Sequence, residues 1–298
     1  MLHQRLLLAC ERRDHEAIAR YGPEADHPFF NAVRENLAKH PDGERVLVPH
    51  KPVRQRHNTC MPASVAAVTG AIGHELDQDS VADAVCYEGT ESWRAREHAR
   101  QNGLQVRCFQ FTPEIARELV DRGLPFLIAF ASLQYGHACA FVGYDAAYGT
   151  ALIHDPSLPY LSESLMDRLA HDEAPVGPRC MLFLTPGQAA DIADLPLPDE
   201  AAVEAELDVY EALNKQGPQA AMQRAQRVQG DGPMAAYVRA LGRYMASDVA
   251  GSVEEFERLL ATFPRSVTLQ KQVLASLRRL DDTARQRKTL RSIVTGAP

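Results

Sequence analysis

The chain turns on Gln55-Arg56-His57-Asn58-Thr59-Cys60-Met61-Pro62-Ala63-Ser64-Val65-Ala66-Ala67-Val68. Polar residues up to Thr59 give way at Cys60 to small and apolar ones, so the segment predicts a loop feeding a buried helix. Asn58 or Thr59 is the expected N-cap, and Pro62 falls in the first turn, where its missing N–H costs nothing. A thiol in that first turn meets unsatisfied N–H groups and the positive end of the helix dipole, which favour the thiolate. On its own, a cysteine opening an apolar helix is more often core packing than a nucleophile. A base, an orienting carboxylate and an oxyanion donor must therefore be found elsewhere.

The base is sought in Gly136-His137-Ala138-Cys139-Ala140-Phe141-Val142-Gly143-Tyr144-Asp145, an apolar strand with histidine at its mouth. The next strand ends in Ile153-His154-Asp155-Pro156. A hairpin turn centred on Ala146 places Asp155 directly across from His137 and on the same face, whereas a turn centred half a residue later would put it on the opposite face. Asp155 would then fix the imidazole tautomer that takes the thiol proton and would stabilise the imidazolium. Gln55, in the loop entering the helix, can fold its amide back beside the Cys60 N–H to make a pair of donors for a developing oxyanion.

Outward from these segments the pattern is α+β. Residues 1 to about 40 read as helices, with a first run ended by Gly22-Pro23 and a second from Pro28 to Lys39; Arg45 to Val53 reads as extended. Helices are expected at Gln78 to Cys86, Ser92 to Asn102 and Pro113 to Arg122. Strands are expected at Leu104 to Phe111, Pro125 to Ser132, His137 to Tyr144, Thr150 to Asp155 and Cys180 to Thr185. Composition shifts at Thr185-Pro186-Gly187 and again at Leu195-Pro196-Leu197-Pro198-Asp199, where we expect a linker. Beyond it the chain reads as helical hairpins whose second helices open near Gly217-Pro218, Gly251-Ser252 and Asp281-Asp282, a period of two-helix solenoid repeats. Met234 to Pro264 resembles a tetratricopeptide repeat through Tyr237, Tyr244, Phe256 and Phe263-Pro264. The sequence stops just past a helix at Gly296-Ala297-Pro298, as one section of a longer array would. The expected units are 1–44 (helical), 45–187 (α+β) and 199–298 (helical repeats).

Over 298 residues the formal charge is -7, which argues against a phosphate-binding surface and hence against nucleic acid. Six cysteines (Cys10, Cys60, Cys86, Cys108, Cys139 and Cys180) lie far apart with no C-x-x-C pair. That spacing suits a reducing compartment, the cytoplasm, rather than a disulfide scaffold. Leu7-Leu8-Ala9-Cys10 has the look of a lipoprotein cleavage box, yet its apolar run is shorter than a secretory core and Glu11-Arg12-Arg13-Asp14 follows at once, so no processed signal is expected. No stretch is long enough for a membrane span.

Taken together, Gln55, Cys60-Met61-Pro62-Ala63, Gly136-His137, Val142-Gly143-Tyr144-Asp145 and His154-Asp155-Pro156, in that order, resemble the bacteriocin-processing (double-glycine leader) cysteine peptidase family and its relatives with the papain-like fold. The resemblance covers about residues 45 to 185. It implies a papain-like domain of helices packed on an antiparallel sheet, with Cys60 as nucleophile, His137 as base, Asp155 as orienter and Gln55 as oxyanion donor. It also implies a peptide or protein substrate; no cofactor is expected. Two features depart from the family pattern: Met61 stands where glycine is usual, and the spacing from Gln55 to Cys60 is about one residue short. Met61 is expected to crowd the cleft.

His137, Cys139, His154, Asp155, His171 and Cys180 contain only one tight pair, His137 with Cys139, so ligand spacing does not point to a metal. His57 is expected in a solvated loop, and Cys86, Cys108, Cys139 and Cys180 in the core. Three functions fit the pattern: a cysteine peptidase working through an acyl-enzyme, a thiol acyltransferase or amidase on the same scaffold, and an inactive peptide-binding module. Under each of them the helical repeats would dock a protein partner.

Overall fold

A computed structural model describes residues 2–87, 89–132 and 135–295; the last residues of the expected repeat region, 296–298, lie outside it. The N-terminal part holds three helices, α1 (Leu2–Arg12), α2 (His15–Ala25) and α3 (Pro28–Lys39). The first expected run is divided at Arg13, which adopts a left-handed φ of 53°, and Asp14 restarts the helix by accepting from Ala17 N. Gly22-Pro23 does not end the run, contrary to expectation: both residues lie inside α2, which closes at left-handed Asp26. Pro23 falls in the last turn, where its missing N–H forfeits one terminal bond rather than a helix interior. Leu6, Ile18, Phe30 and Val33 close over Ala147 and Tyr148, so these helices cap a turn of the sheet described next.

The central part begins with β1 (Arg45–Leu47), shorter than the extended run expected to Val53, and α4 (Cys60–Ala71). Eight residues of α4 are buried, as an all-round apolar helix requires. There follow α5 (Gln78–Val85), α6 (Ser92–Gln101), β2 (Gln105–Gln110), α7 (Pro113–Asp121), β3 (Phe126–Ala131), β4 (Gly136–Asp145), β5 (Thr150–His154), β6 (Ser162–Leu165), α8 (Met166–Asp172), β7 (Arg179–Leu184) and α9 (Pro186–Asp191). The strands form one antiparallel sheet in the order β2-β7-β3-β4-β5-β6, with β1 paired to β4. Alternation sends Ala138, Ala140, Leu127 and Met181 towards α4 and α6, and Phe126, Ile128, Cys139 and Phe141 towards α7. The polar edge strand β6 and helices α8 and α9 carried no signal we read in the sequence.

The β4–β5 hairpin departs from the simple register. Asp145, Tyr144 and Gly143 pair with Thr150, Ala151 and Leu152; after an irregularity at Val142, Phe141 and Ala140 pair with Ile153 and His154. Asp155 is therefore not directly across from His137. Extended without the bulge, the first register would set Asp155 opposite Ala140, on the other side of the sheet from His137. The extra residue shifts it by one, so Asp155 follows beside Cys139 and becomes the diagonal neighbour of His137 on one face. The bulge has a structural cause. One edge of β4 is shared, β3 pairing up to Phe141 and β1 from Gly143 onward, and at the changeover the Val142 carbonyl accepts from Val48 N at 2.8 Å.

Beyond residue 199 come α10 (Glu200–Gln216), α11 (Pro218–Gln226), α12 (Pro233–Met245), α13 (Val249–Thr262), α14 (Val267–Arg279) and α15 (Thr283–Thr295), each packed on the next. The second helices of the three pairs start at Pro218, Val249 and Thr283, close to the openings read from sequence. Tyr237 and Phe256 are both buried, with ring centroids 5.8 Å apart. The region expected as a linker contains α9 and is bound to β2: Gln110 N donates to Pro198 O, and Arg107 reaches the carbonyls of Ile192 and Leu195 and the Glu200 carboxylate.

Helix α10 carries a row of acids that meets arginines of the sheet domain. Arg96, 1% exposed, donates to Glu204, Asp208 and Glu211 at 2.7, 2.8 and 2.9 Å, and Arg179 is paired bidentately with Glu206. One apolar core runs from Met61 and Val68 through Val203 and Leu207 to Leu277. Among the described residues no helix is long and apolar enough to cross a membrane.

Two stability predictions follow from this architecture. Arg96→Ala leaves three carboxylates facing one another, and urea unfolding should show a loss of about 2 kcal/mol, less than a fully buried broken pair because the acids keep partial contact with water. A Cβ on Gly143 would collide with the Val46 carbonyl and approach Leu152 Cδ1 to 3.1 Å; Gly143→Ala should therefore also cost about 2 kcal/mol in the same assay.

Candidate active site

The loop leading to α4 is laced to the end of β5. Val53 N donates to His154 Nε2 at 3.0 Å, and Gln55 N donates to Pro156 O at 2.9 Å. His154, which alternation sends to the face opposite Asp155, is thus packed, and burial holds its pKa below the ordinary value. His57 takes a left-handed φ of 52° and is exposed, turning the chain so that Arg56 N donates to Thr59 Oγ1 at 2.9 Å. Thr59 is the N-cap, yet its side chain makes no cap bond to the helix. The first N–H groups of α4 consequently have no side-chain acceptor from the cap, and Cys60 occupies the first helical position beside them.

The Cys60 thiol is half-buried. Burial pushes its pKa up, but hydrogen bonding to His137 and to the backbone at Ala138 and Met61 outweighs this, and the pKa falls below the ordinary thiol value. Buried Ser64 fixes the helix to the strand by donating to Ala138 O at 3.0 Å. Met61 is 5% exposed and belongs to the core cluster against which Cys60 also packs.

His137 Nε2 lies 2.9 Å from Asp155 Oδ1, leaving Nδ1 as the ring nitrogen free for a thiol. Bonding to Cys139 and Cys60 raises the His137 pKa above its ordinary value, with Asp155 adding to it. Asp155 is held in turn: Ser157 N and Oγ donate to the same Oδ1 at 2.8 and 2.6 Å. Burial pushes the Asp155 carboxyl up, and the Ser157 and His137 donors bring it below the ordinary range. Gln55 Nε2 donates to His57 O at 3.0 Å, which occupies one of its two N–H groups, while Oε1 is buried without a partner.

The structure thus brings Cys60, His137 and Asp155 together, and sets Gln55 in the turn before Cys60 with its amide partly engaged. Three contributors escaped the sequence reading. Cys139, expected as core, is buried but also touches His137; its position two residues along the same strand was the available signal. Burial raises its pKa, so of the two thiols beside one imidazole Cys60 is the more acidic. Ser157 was signalled by Asp155-Pro156-Ser157, in which an Asp folds back on backbone and hydroxyl two residues on. Ser64 gave no signal beyond a polar residue on a buried helix. The donor atoms of His137, Cys139 and Asp155 lie within 4.8 Å of one another, a set whose chemistry would suit a soft cation, though Asp155 Oδ1 already serves three hydrogen-bond donors.

Comparison with curated proteins gives no match. Among solved structures, the peptidase domain of Streptococcus ComA, a bifunctional ABC transporter involved in a quorum-sensing pathway, is 17% identical, with 48% of this chain and 99% of that one covered at a TM-score of 0.37. A double glycine motif protease from an AMS/PCAT transporter, in complex with the leader peptide, is 17% identical, with 47% and 96% covered at a TM-score of 0.36. The model of the Peptidase_C39 like family matches residues 48–166. The matched stretch contains Gln55, Cys60, His137 and Asp155.

Proposed function

We propose that this chain is a cysteine peptidase whose nucleophile is Cys60, and that units 45–187 and 199–298 divide the work between catalysis and partner binding. The observation that carries the reading is the acidic Cys60 thiol at the start of α4, beside a histidine whose other nitrogen is bound by Asp155 at 2.9 Å. The family match over 48–166 supports it.

In the proposed reaction the Cys60 thiolate adds to a peptide carbonyl carbon. The oxyanion receives the Cys60 N–H and the second Gln55 amide N–H. The His137 imidazolium then passes its proton to the departing amine as the C–N bond breaks, leaving a thioester on Cys60. Water, deprotonated by His137, attacks the thioester and releases the acid and the thiol. Asp155, anchored by Ser157, keeps Nε2 occupied so that Nδ1 faces the sulfur, and stabilises the imidazolium without itself gaining a proton. The three helix pairs, with Tyr237 and Phe256 at the expected repeat positions, support a tetratricopeptide-like surface for a protein partner. The six unpaired cysteines support a reducing, cytoplasmic setting.

Iodoacetamide labelling tests the nucleophile. Alkylation requires the thiolate, so a lowered pKa keeps Cys60 reactive at a lower pH than an ordinary thiol. At pH 7 Cys60 should be alkylated at least about tenfold faster than Cys139 by peptide-mapping mass spectrometry. In His137→Ala the half-maximal pH should move upward, because the counter-cation is lost. Equal labelling of Cys60 and Cys139 would remove the basis for catalysis. Asp155→Asn should lower the His137 pKa, read by NMR titration of the imidazole, because the carboxylate favours the charged ring.

A further inference from the structure

A cavity of about 300 Å³ opens between the sheet domain and the helical tail. One wall is Trp93 at the start of α6 and Ala131 at the end of β3; the other is Tyr210 of α10 and Tyr237 of α12. Neither Cys60 nor His137 lines it; by alternation its Ala131 lies on the face of the sheet that packs α4, the helix Cys60 opens, and on the opposite face from the His137 side chain. Ala131 pairs with Gly136, and the next pair along is Phe130 with His137; adjacent strands are about 4.8 Å apart.

The charges around the cavity are unequal in their partners. Arg179 and Glu206 neutralise each other through two hydrogen bonds, with the guanidinium 5.7 Å from the centroid of the Tyr237 ring. Glu91 is occupied by Trp93 Nε1 at 2.9 Å and Arg94 Nε at 3.3 Å. Lys271 of α14 is half-buried in the wall, and among the described residues no hydrogen bond or ion pair to its ammonium is recorded. The cavity therefore offers an uncompensated positive charge beside apolar ring surface, in a volume suited to one or two residues of a peptide.

We propose that this cavity is a subsite that takes a carboxylate-bearing residue of the substrate peptide, with Lys271 receiving the charge and the rings of Trp93, Tyr210 and Tyr237 its hydrocarbon part. Its place in a cleft rests on the peptidase reading of Cys60; its preference for carboxylate rests on the cavity alone. The tail would then do more than dock a partner, because the wall formed by α10, α12 and α14 belongs to it.

Trp93 is the single tryptophan of the chain, so its emission reports occupancy directly. The full chain is titrated with N-acetyl-glutamate α-amide (side-chain carboxylate only), N-acetyl-leucine (terminal carboxylate only) and N-acetyl-glutamine α-amide (no carboxylate). At least one carboxylate probe should give a saturable change and bind about tenfold more tightly than the neutral amide, and which of the two does so identifies the source of the charge. Lys271→Gln should abolish that preference, and Cys60→Ala should keep it. No saturation with either carboxylate probe, or a preference that survives Lys271→Gln, overturns the proposal. If the preference holds while Cys60 fails the alkylation test, the peptidase reading falls and the carboxylate site stands.

Discussion

One extra residue in β4 decides which side of the sheet Asp155 reaches. The register set at the turn by Asp145 and Thr150 would, unbroken, place Asp155 on the α4 face, away from the His137 side chain. The bulge at Val142 corrects this by one residue, and it exists because β4 exchanges its neighbour there, from β3 to β1. Gly143 lets β1 come close enough for the exchange. The N-terminal helices reinforce the same end of the hairpin. Buried Asp145 accepts from the Ala147 and Tyr148 N–H groups and is met by Arg13 and Arg45. A contact between two side chains at one end of β4 is thus governed by backbone pairing at the other.

The helical tail is fastened by a different kind of force. Hydrophobic burial joins α10 to the sheet domain through Val203 and Leu207, but such burial is non-directional and would tolerate sliding. The arginine–carboxylate contacts of Arg96, Arg107 and Arg179 supply direction, since each planar guanidinium accepts only a narrow set of approaches. Helix α10 thereby holds a defined register against β2 and α6, and a cavity can persist between two parts of the chain that composition alone would separate at residues 187–199.

Much of this was legible in the sequence, and the misses have physical reasons. Helix α3 is bounded by Pro28 and Lys39 as read, because Pro at the first turn and Pro41 with Gly43 beyond the end are backbone signals independent of tertiary context. The strands were legible where both faces are buried. The short polar edge strand β6 was not, because its pairing is set by β5 and not by its own hydrophobicity. Cys60, His137 and Asp155, picked out by residue chemistry, do lie together, but the register that brings the last two together was misjudged. A bulge arises from competition between two partner strands, which no single hairpin encodes. The role of Ser157 and the contact of Cys139 depend on that same register. Composition also could not show how the expected linker is held: a Pro-rich stretch marks an irregular backbone, and Arg107 turns that backbone into a fixed strap.

The account rests on the Cys60 thiol ionising below the ordinary thiol range because His137 is charged beside it. Thiolate absorbance near 240 nm, titrated for the wild type and for Cys60→Ala and subtracted, isolates that one thiol. The account predicts a difference curve with its midpoint below the ordinary thiol value of about 8.5, moving upward in His137→Ala. A midpoint at or above that value in the wild type would contradict it.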